Sequence, residues 1–146
     1  MKRKVFLIII LLVTVIAVWY AYAEYNRTND DLSRARVSTT ISAAALLTAF
    51  EKDSANAVQL YRDKVIAVTG AIKKIEAEGN PAIIFLGDAA QMSSIQCSMD
   101  STNATAYKSL KAGDAVTLKG LVSGFRTDPL FGTDVILNRC VIAANP

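Results

Sequence analysis

The chain has 146 residues, with 16 Lys and Arg against 13 Asp and Glu and no histidine. Lys2, Arg3 and Lys4 account for the net charge of +3, because the sequence from Glu24 onward holds 13 residues of each sign. This length suits one domain, and the neutral balance argues against a protein that neutralises nucleic-acid phosphates. Without histidine or a paired-carboxylate motif, we expect neither an enzyme nor a metal site, and no cofactor.

An apolar segment of nineteen residues, Val5 to Ala23, follows the basic N-terminus, and only Thr14 interrupts it. Its length and the positive charges before it predict a single-pass transmembrane helix with a cytoplasmic N-terminus. A signal peptide cleaved after Ala23 is the alternative, since the segment ends in small residues typical of a cleavage site. No cysteine directly follows the segment, which argues against a lipid anchor at that point.

This segment predicts how the chain is divided. Residues 1–23 are the anchor or signal peptide, residues 24–41 are a polar stalk or helix extension, and residues 42–146 are the folded domain. With the anchor retained, the domain faces the periplasm or the cell exterior from the inner or cell membrane. After cleavage it is a periplasmic or secreted protein.

A broken helix is predicted at the start of the domain. The hydroxyl groups of residues 38–40 are suitable N-caps, and residues 43–50 have helix-forming composition with apolar side chains at helical spacing. Asp53 or Ser54 caps a second short helix that continues through Tyr61.

Alternating apolar residues then predict five strands. The apolar positions are Ile66, Val68, Gly70 and Ile72 in the first, 82–86 in the second, Ile95, Cys97 and Met99 in the third, Val116, Leu118 and Val122 in the fourth, and 133–142 in the fifth. The fifth changes its alternation phase, so we expect a bulge or burial on both faces. The turn-rich residues 126–129 separate the last two strands.

A helix is predicted between the third and fourth strands. It covers residues 102–111, with Thr102 or Asn103 as the N-cap and Gly113 just beyond its end. The resulting order, three strands, a helix and two strands, predicts a mainly β protein with the five-stranded Greek-key barrel of the OB-fold.

The sequence resembles one bacterial family, the exported tRNA-anti-like or OB-fold lipoproteins. The resemblance covers residues 44–142 and is carried by four stretches: LLTAFEKDSANAVQLYRDKVIAVTGAI, SIQCSMD, LKAGDAVTLKGLVSGF and NRCVI. It implies the OB barrel and assigns no activity to any residue, since the family is named for a distant similarity to tRNA-binding anticodon domains. The chain departs from the family pattern in lacking a cysteine for lipid attachment.

The two cysteines, Cys97 and Cys140, fall on strands that are neighbours in an OB barrel. In an exported domain this arrangement predicts a disulfide, which by the chain-entropy model stabilises a loop of this length by about 4 kcal/mol. The alternative is a pair of buried thiols that pack as small apolar residues.

A ligand face is predicted from cations and aromatic residues on the barrel and its loops. The candidates are Lys73, Lys74, Lys119, Phe125, Arg126, Phe131 and Arg139. Three functions remain open at this point. The first is a binding module without catalytic activity that contacts an envelope protein, a glycan or a small ligand, and the second is an exported nucleic-acid-binding OB domain. The third is a structural component of the cell envelope that binds no small ligand.

Overall fold

A computed structural model describes residues 2–25, 32–78, 81–101 and 106–143. The chain divides into two compact units, residues 1–30 and 31–146. The described part of the first unit is one helix, α1 (Lys2–Tyr25).

No helix within the described residues combines the length and the apolar character that crossing a membrane requires. The structure therefore does not support the transmembrane span predicted for Val5–Ala23. Part of the predicted stalk, residues 26–31, lies outside the described residues.

The described part of the second unit is mainly β. In chain order its elements are β1 (Thr39–Ser42), α2 (Ala43–Lys52), α3 (Ser54–Tyr61), β2 (Val65–Glu76), β3 (Ile83–Leu86), β4 (Ser94–Met99), a 3₁₀ helix (Ala106–Ser109), β5 (Ala115–Asp128) and β6 (Gly132–Ile142).

Five of these strands close into a barrel. The neighbours are β2-β3-β4-β6-β5, and β5 returns to pair with β2. All pairs in this ring are antiparallel except β4 with β6, which are parallel. This is the strand arrangement of the OB-fold, so the predicted barrel is confirmed.

A short sixth strand, β1, lies outside the ring and was not predicted. It runs parallel to β2, from Thr39 opposite Ile66 to Ser42 opposite Thr69. Residues 39 and 40, predicted as helix caps, therefore belong to a strand. The actual N-cap of α2 is Ser42, whose Oγ accepts the backbone N–H of Ala45 at 3.2 Å.

The predicted broken helix is confirmed as α2 and α3. α2 buries Leu46, Leu47 and Phe50 against the barrel. Asp53 ends α2 and begins α3, because its backbone N–H donates to Ala49 O at 3.1 Å and its Oδ1 accepts the N–H of Asn56 at 3.0 Å. One residue thus satisfies backbone groups of both helices.

The helix predicted for residues 102–111 is present only as the 3₁₀ turn Ala106–Ser109 in the described residues. Its predicted caps, Thr102 and Asn103, lie outside them. An α-helix does not reach residue 111 because the chain turns there, with the Lys111 N–H donating to Asp114 Oδ2 at 2.8 Å.

The inward-facing residues of the five ring strands form one core with α2. The predicted core positions of the first, third and fourth strands are confirmed, with Gly70 only partly buried. In the second strand Ala82, Ile84 and Leu86 are buried, whereas Ile83 and Phe85 are only partly buried. The fully buried residues include Ile66, Val68, Ile84, Leu86, Ile95, Cys97, Leu118 and Val122.

The change of phase predicted in the last strand is confirmed as a bulge in β6. Leu137 lies opposite Cys97, and the next paired residue, Cys140, lies opposite Met99. Within this bulge Arg139 adopts the left-handed backbone conformation, with a φ of 55°. The bulge brings both Leu137 and Cys140 into the core.

The turn between the last two strands begins later than predicted. β5 continues through Asp128, so residues 126–128 are strand rather than turn. Oδ1 of Asp128 then accepts the backbone N–H groups of Leu130 and Phe131 at 2.8 and 3.2 Å, which fixes the turn at its tip.

Candidate ligand-binding face

An aromatic side chain lies on the outer surface of β3, where the flanking residues of the strand point into the core. Ile84 and Leu86 are fully buried, whereas Phe85 is half-buried and faces outward. Phe85 lies opposite Lys74 of β2 on one side and opposite Gln96 of β4 on the other. These three residues form a row across the outside of the barrel.

A bulge in β2 places Lys74 in this row. Ile72 pairs with Leu86 and Lys74 pairs with Phe85, so Lys73 is the extra residue. Lys74 Nζ lies 5.4 Å from the centroid of the Phe85 ring, within the range of a cation–π contact. The same amino group forms an ion pair with Glu76.

Polar groups continue the row over β4, β6 and β5, where Asp134 is the centre of a hydrogen-bond network. Asp134 Oδ1 accepts from Ser94 Oγ at 2.7 Å, and its Oδ2 accepts from Gln96 Nε2 at 2.9 Å. Arg126 Nη2 lies 3.4 Å from the same Oδ2. Because three donors hold it, the Asp134 carboxylate has a fixed orientation.

We call the surface formed by Lys74, Phe85, Ser94, Gln96, Arg126 and Asp134 the Phe85 face. A cavity of about 450 Å³ adjoins its β2 edge. The cavity wall includes Lys74, Glu76, Glu78, Pro81 and Ile83, so acidic groups outnumber basic ones there.

A larger cavity, of about 570 Å³, lies between the start of α2, β2 and the β3–β4 loop, and its wall consists mainly of Ala and Gly. Three polar residues on its wall already make hydrogen bonds within the protein. Ser42 caps α2, Lys73 Nζ donates to the carbonyls of Gln91 and Met92, and Asp88 Oδ1 accepts the N–H of Ala90. None of the described residues that line this cavity is aromatic, whereas the Phe85 face combines an aromatic ring with polar groups.

Of the seven residues predicted as a ligand face, only Lys74 and Arg126 lie on the Phe85 face. Lys73 points to the β3–β4 loop, as described above. Lys119 is 7% exposed, and its Nζ donates to the carbonyls of Ser33 and Ala35 at 2.7 and 3.1 Å. Its charge therefore holds the segment before β1 against the barrel.

The remaining three predicted residues also lie apart from the face. The Phe125 ring is partly buried and packs against the core residue Phe50, with 5.2 Å between the centroids. Phe131 is exposed at the tip of the β5–β6 turn, and Arg139 lies in the β6 bulge.

The sequence-based prediction missed Phe85, Ser94, Gln96 and Asp134. A signal for Phe85 was present, since the buried parity of Ile84 and Leu86 requires the residue between them to face outward. No comparable signal marks Asp134, because its role depends on three donors from two other strands.

Cys97 and Cys140 are both free and fully buried. The predicted disulfide is not formed in the structure, and the alternative of two buried thiols describes it. The thiols contact each other, and the hydrogen bond that the Cys140 S–H donates to Cys97, together with burial, raises the pKa of Cys140 well above its usual value. The two side chains fill the core between β4 and β6.

Solved structures of other proteins are similar to this fold at low sequence identity. The crystal structure of a "putative nucleic acid-binding lipoprotein" from Klebsiella pneumoniae is similar with a TM-score of 0.55 at 20% identity, over 81% of this chain and 100% of that one. An OBody bound to hen egg-white lysozyme gives 0.41 at 15% identity, over 57% and 98% of the two chains.

Asparaginyl-tRNA synthetase from Pyrococcus horikoshii gives a TM-score of 0.39 at 13% identity, over 57% of this chain and 20% of that one. No curated protein matches the chain in sequence. The tRNA_anti-like family model matches residues 1–141, which is nearly the whole sequence. The resemblance noted from the sequence is thus confirmed, and the chain belongs to the tRNA_anti-like family.

Proposed function

We propose that this protein is an OB-fold binding module without catalytic activity, and that its ligand contacts the Phe85 face. The observation that carries the proposal is the half-buried aromatic ring of Phe85 at the middle of the barrel surface, between Lys74 and Gln96. An outward aromatic residue on an OB barrel provides a flat surface on which a ring of the ligand stacks. The polar groups beside it supply the directional contacts.

A binding role suits the ionisable groups of this face better than a catalytic one. Lys74 pairs with Glu76, and Arg126 pairs with Asp134. General acid–base catalysis requires a group that can exchange a proton with the bound substrate, and these side chains already contact one another. This arrangement supports a face that binds and orients its ligand.

We further propose that the domain is exported. The support is the sequence of residues 2–23, where three basic residues precede an apolar segment. The Klebsiella relative is named as a lipoprotein, which supports an envelope location for this chain as well. Attachment through residues 5–23 is the finer part of the proposal and depends on the sequence alone.

The location is tested by the intact mass of the protein from the membrane and soluble exported fractions. An uncleaved mass in the membrane fraction supports attachment. A mass lacking residues 1–23 in the soluble exported fraction would contradict membrane attachment but would still support export of the domain. Recovery of the uncleaved protein in the cytosol would contradict both.

The binding role is tested with the full chain in mild detergent against a panel of glycans, peptides and oligonucleotides. We expect Phe85→Ala to weaken binding about fivefold or more, because loss of a stacking contact costs about 1–3 kcal/mol. Phe131→Ala is the matched control, since it removes an exposed aromatic ring away from the face. Equal losses in the two variants would contradict the assignment of the face.

Nucleic acid is the second candidate, favoured by the name of the Klebsiella relative, which describes nucleic-acid binding. Phosphate neutralisation makes affinity fall steeply as the salt concentration rises. A strong salt dependence of oligonucleotide binding, lost in Phe85→Ala, would favour this candidate.

A further inference from the structure

We infer that the ligand of the Phe85 face is an uncharged oligosaccharide. The inference rests on the proposed function and names the class of molecule that the same face recognises. It is carried by three features: the pairing of the charges, the fixed orientation of the planar polar groups, and the position of Lys74 over the aromatic ring.

The charges of the face and its adjoining cavity suit a neutral ligand. Lys74 and Arg126 are the basic residues there, and Glu76, Glu78 and Asp134 are the acidic ones. Each cation already has a carboxylate partner, and the three carboxylates exceed the two cations, so a phosphate chain would approach an excess of negative charge. A neutral ligand meets no such repulsion.

The polar groups are arranged for hydroxyl groups. Gln96, Asp134 and Arg126 each have a planar end group with two or more hydrogen-bonding atoms, and contacts among them hold their orientations. Neighbouring hydroxyl groups of a sugar ring both donate and accept, so they pair with such planar groups two at a time. The adjoining cavity adds the carboxylates of Glu76 and Glu78 as further acceptors.

The aromatic ring is covered in the free protein. Lys74 Nζ lies over Phe85 at 5.4 Å, and the Lys74 side chain is 60% exposed. An exposed lysine side chain swings away at small cost, which uncovers the ring for the apolar face of a sugar. A phosphate ligand would use Lys74 as a contact, whereas a neutral sugar has to displace it.

This difference gives opposite expectations for one substitution. Lys74→Ala removes a cation that a polyanion needs but that a neutral sugar must push aside. For a neutral oligosaccharide we expect several-fold tighter binding in Lys74→Ala, because the Phe85 ring is then uncovered. For an oligonucleotide, loss of one phosphate contact lowers the affinity and reduces its salt dependence.

The experiment uses the full chain in mild detergent on an array of neutral and anionic glycans with short oligo-dT and oligo-rA. The variants are wild type, Phe85→Ala, Lys74→Ala and the control Phe131→Ala, each checked for folding by circular dichroism. We expect a neutral glycan to bind with little dependence on salt, to bind about fivefold or more weakly to Phe85→Ala, and to bind several-fold more tightly to Lys74→Ala.

Two sets of results would overturn the inference in distinguishable ways. If no neutral glycan binds while an oligonucleotide or anionic glycan does, and Phe85→Ala and Lys74→Ala both weaken that binding, the ligand class is wrong and the proposed face stands. If Phe85→Ala leaves the affinity for every bound probe unchanged, or if no probe binds, the proposed function fails as well. Because Lys74→Ala changes an exposed side chain, it keeps the test decisive if Phe85→Ala does not fold.

Discussion

A methyl group added at Gly120 tests the packing at the centre of the barrel. The Cβ of an alanine at this position would lie 2.5 Å from Cys140 Sγ and 3.3 Å from Leu137 Cβ. The first distance is about 1 Å shorter than an ordinary non-bonded contact, and Cys140 is fully buried, so the sulfur has little room to move. We expect Gly120→Ala to lower the free energy of unfolding by about 1–3 kcal/mol, the usual cost of overpacking.

Urea unfolding of the full chain in mild detergent measures this loss, and β5 offers a matched control. An alanine Cβ at Gly124 meets no atom within 4 Å, so Gly124→Ala is expected to leave stability unchanged or raise it by up to about 1 kcal/mol. Cys140→Ala removes the clashing sulfur. We therefore expect the double variant with Gly120→Ala and Cys140→Ala to lose less free energy of unfolding than the sum of the losses in the two single variants. Strictly additive losses, or a Gly120→Ala protein as stable as wild type, would refute the packing described here.

Three further predictions follow from hydrogen bonds and burial. Asp53→Ala removes the side chain that caps α3, so we expect a loss of about 1 kcal/mol in urea unfolding, with Ser109→Ala as an exposed control. Lys119→Met removes the donor to two carbonyls of residues 33–35, and trypsin should then cleave after the arginines of residues 34–36 several-fold faster, as mass spectrometry can follow. An unchanged cleavage rate would contradict the role of Lys119 in holding this segment. Because the folded protein raises the pKa of Cys140, the unfolded chain ionises first, so the contribution of Cys140 to the free energy of unfolding should be constant below about pH 8 and fall above it. Above that pH the free energy of unfolding should decline less steeply in Cys140→Ala than in wild type. Equal slopes would contradict the raised pKa of Cys140.

The ring strands were predictable because each buries one face. Ile95, Cys97 and Met99 of β4 alternate with the more exposed Gln96 and Ser98, and that alternation alone indicates the inward side of a strand. β1 carries no such pattern, since three of its four residues are exposed. Its strand conformation comes from pairing with β2, a contact between segments distant in sequence that local pattern does not contain.

The candidate face was less predictable because residue type does not show which groups the fold itself uses. Lys119 and Phe125 have the side chains of a ligand site, yet one binds backbone carbonyls and the other packs against Phe50. Asp134 has no distinguishing local sequence and becomes a candidate only when β4 and β5 bring their donors to it.

The outer face also depends on where the alternation of the strands is interrupted. In β2 the core residues Ile72 and Ile75 are three positions apart, and the extra residue turns Lys74 outward opposite Phe85. Strict alternation from Ile72 would have placed Lys74 inside and Ile75 outside. The same spacing separates Leu137 from Cys140 in β6, where the bulge also restarts the pattern. An interval of three between successive core residues is therefore the sequence signal of a bulge, and the face of an OB barrel is assigned correctly only when the alternation is restarted after it.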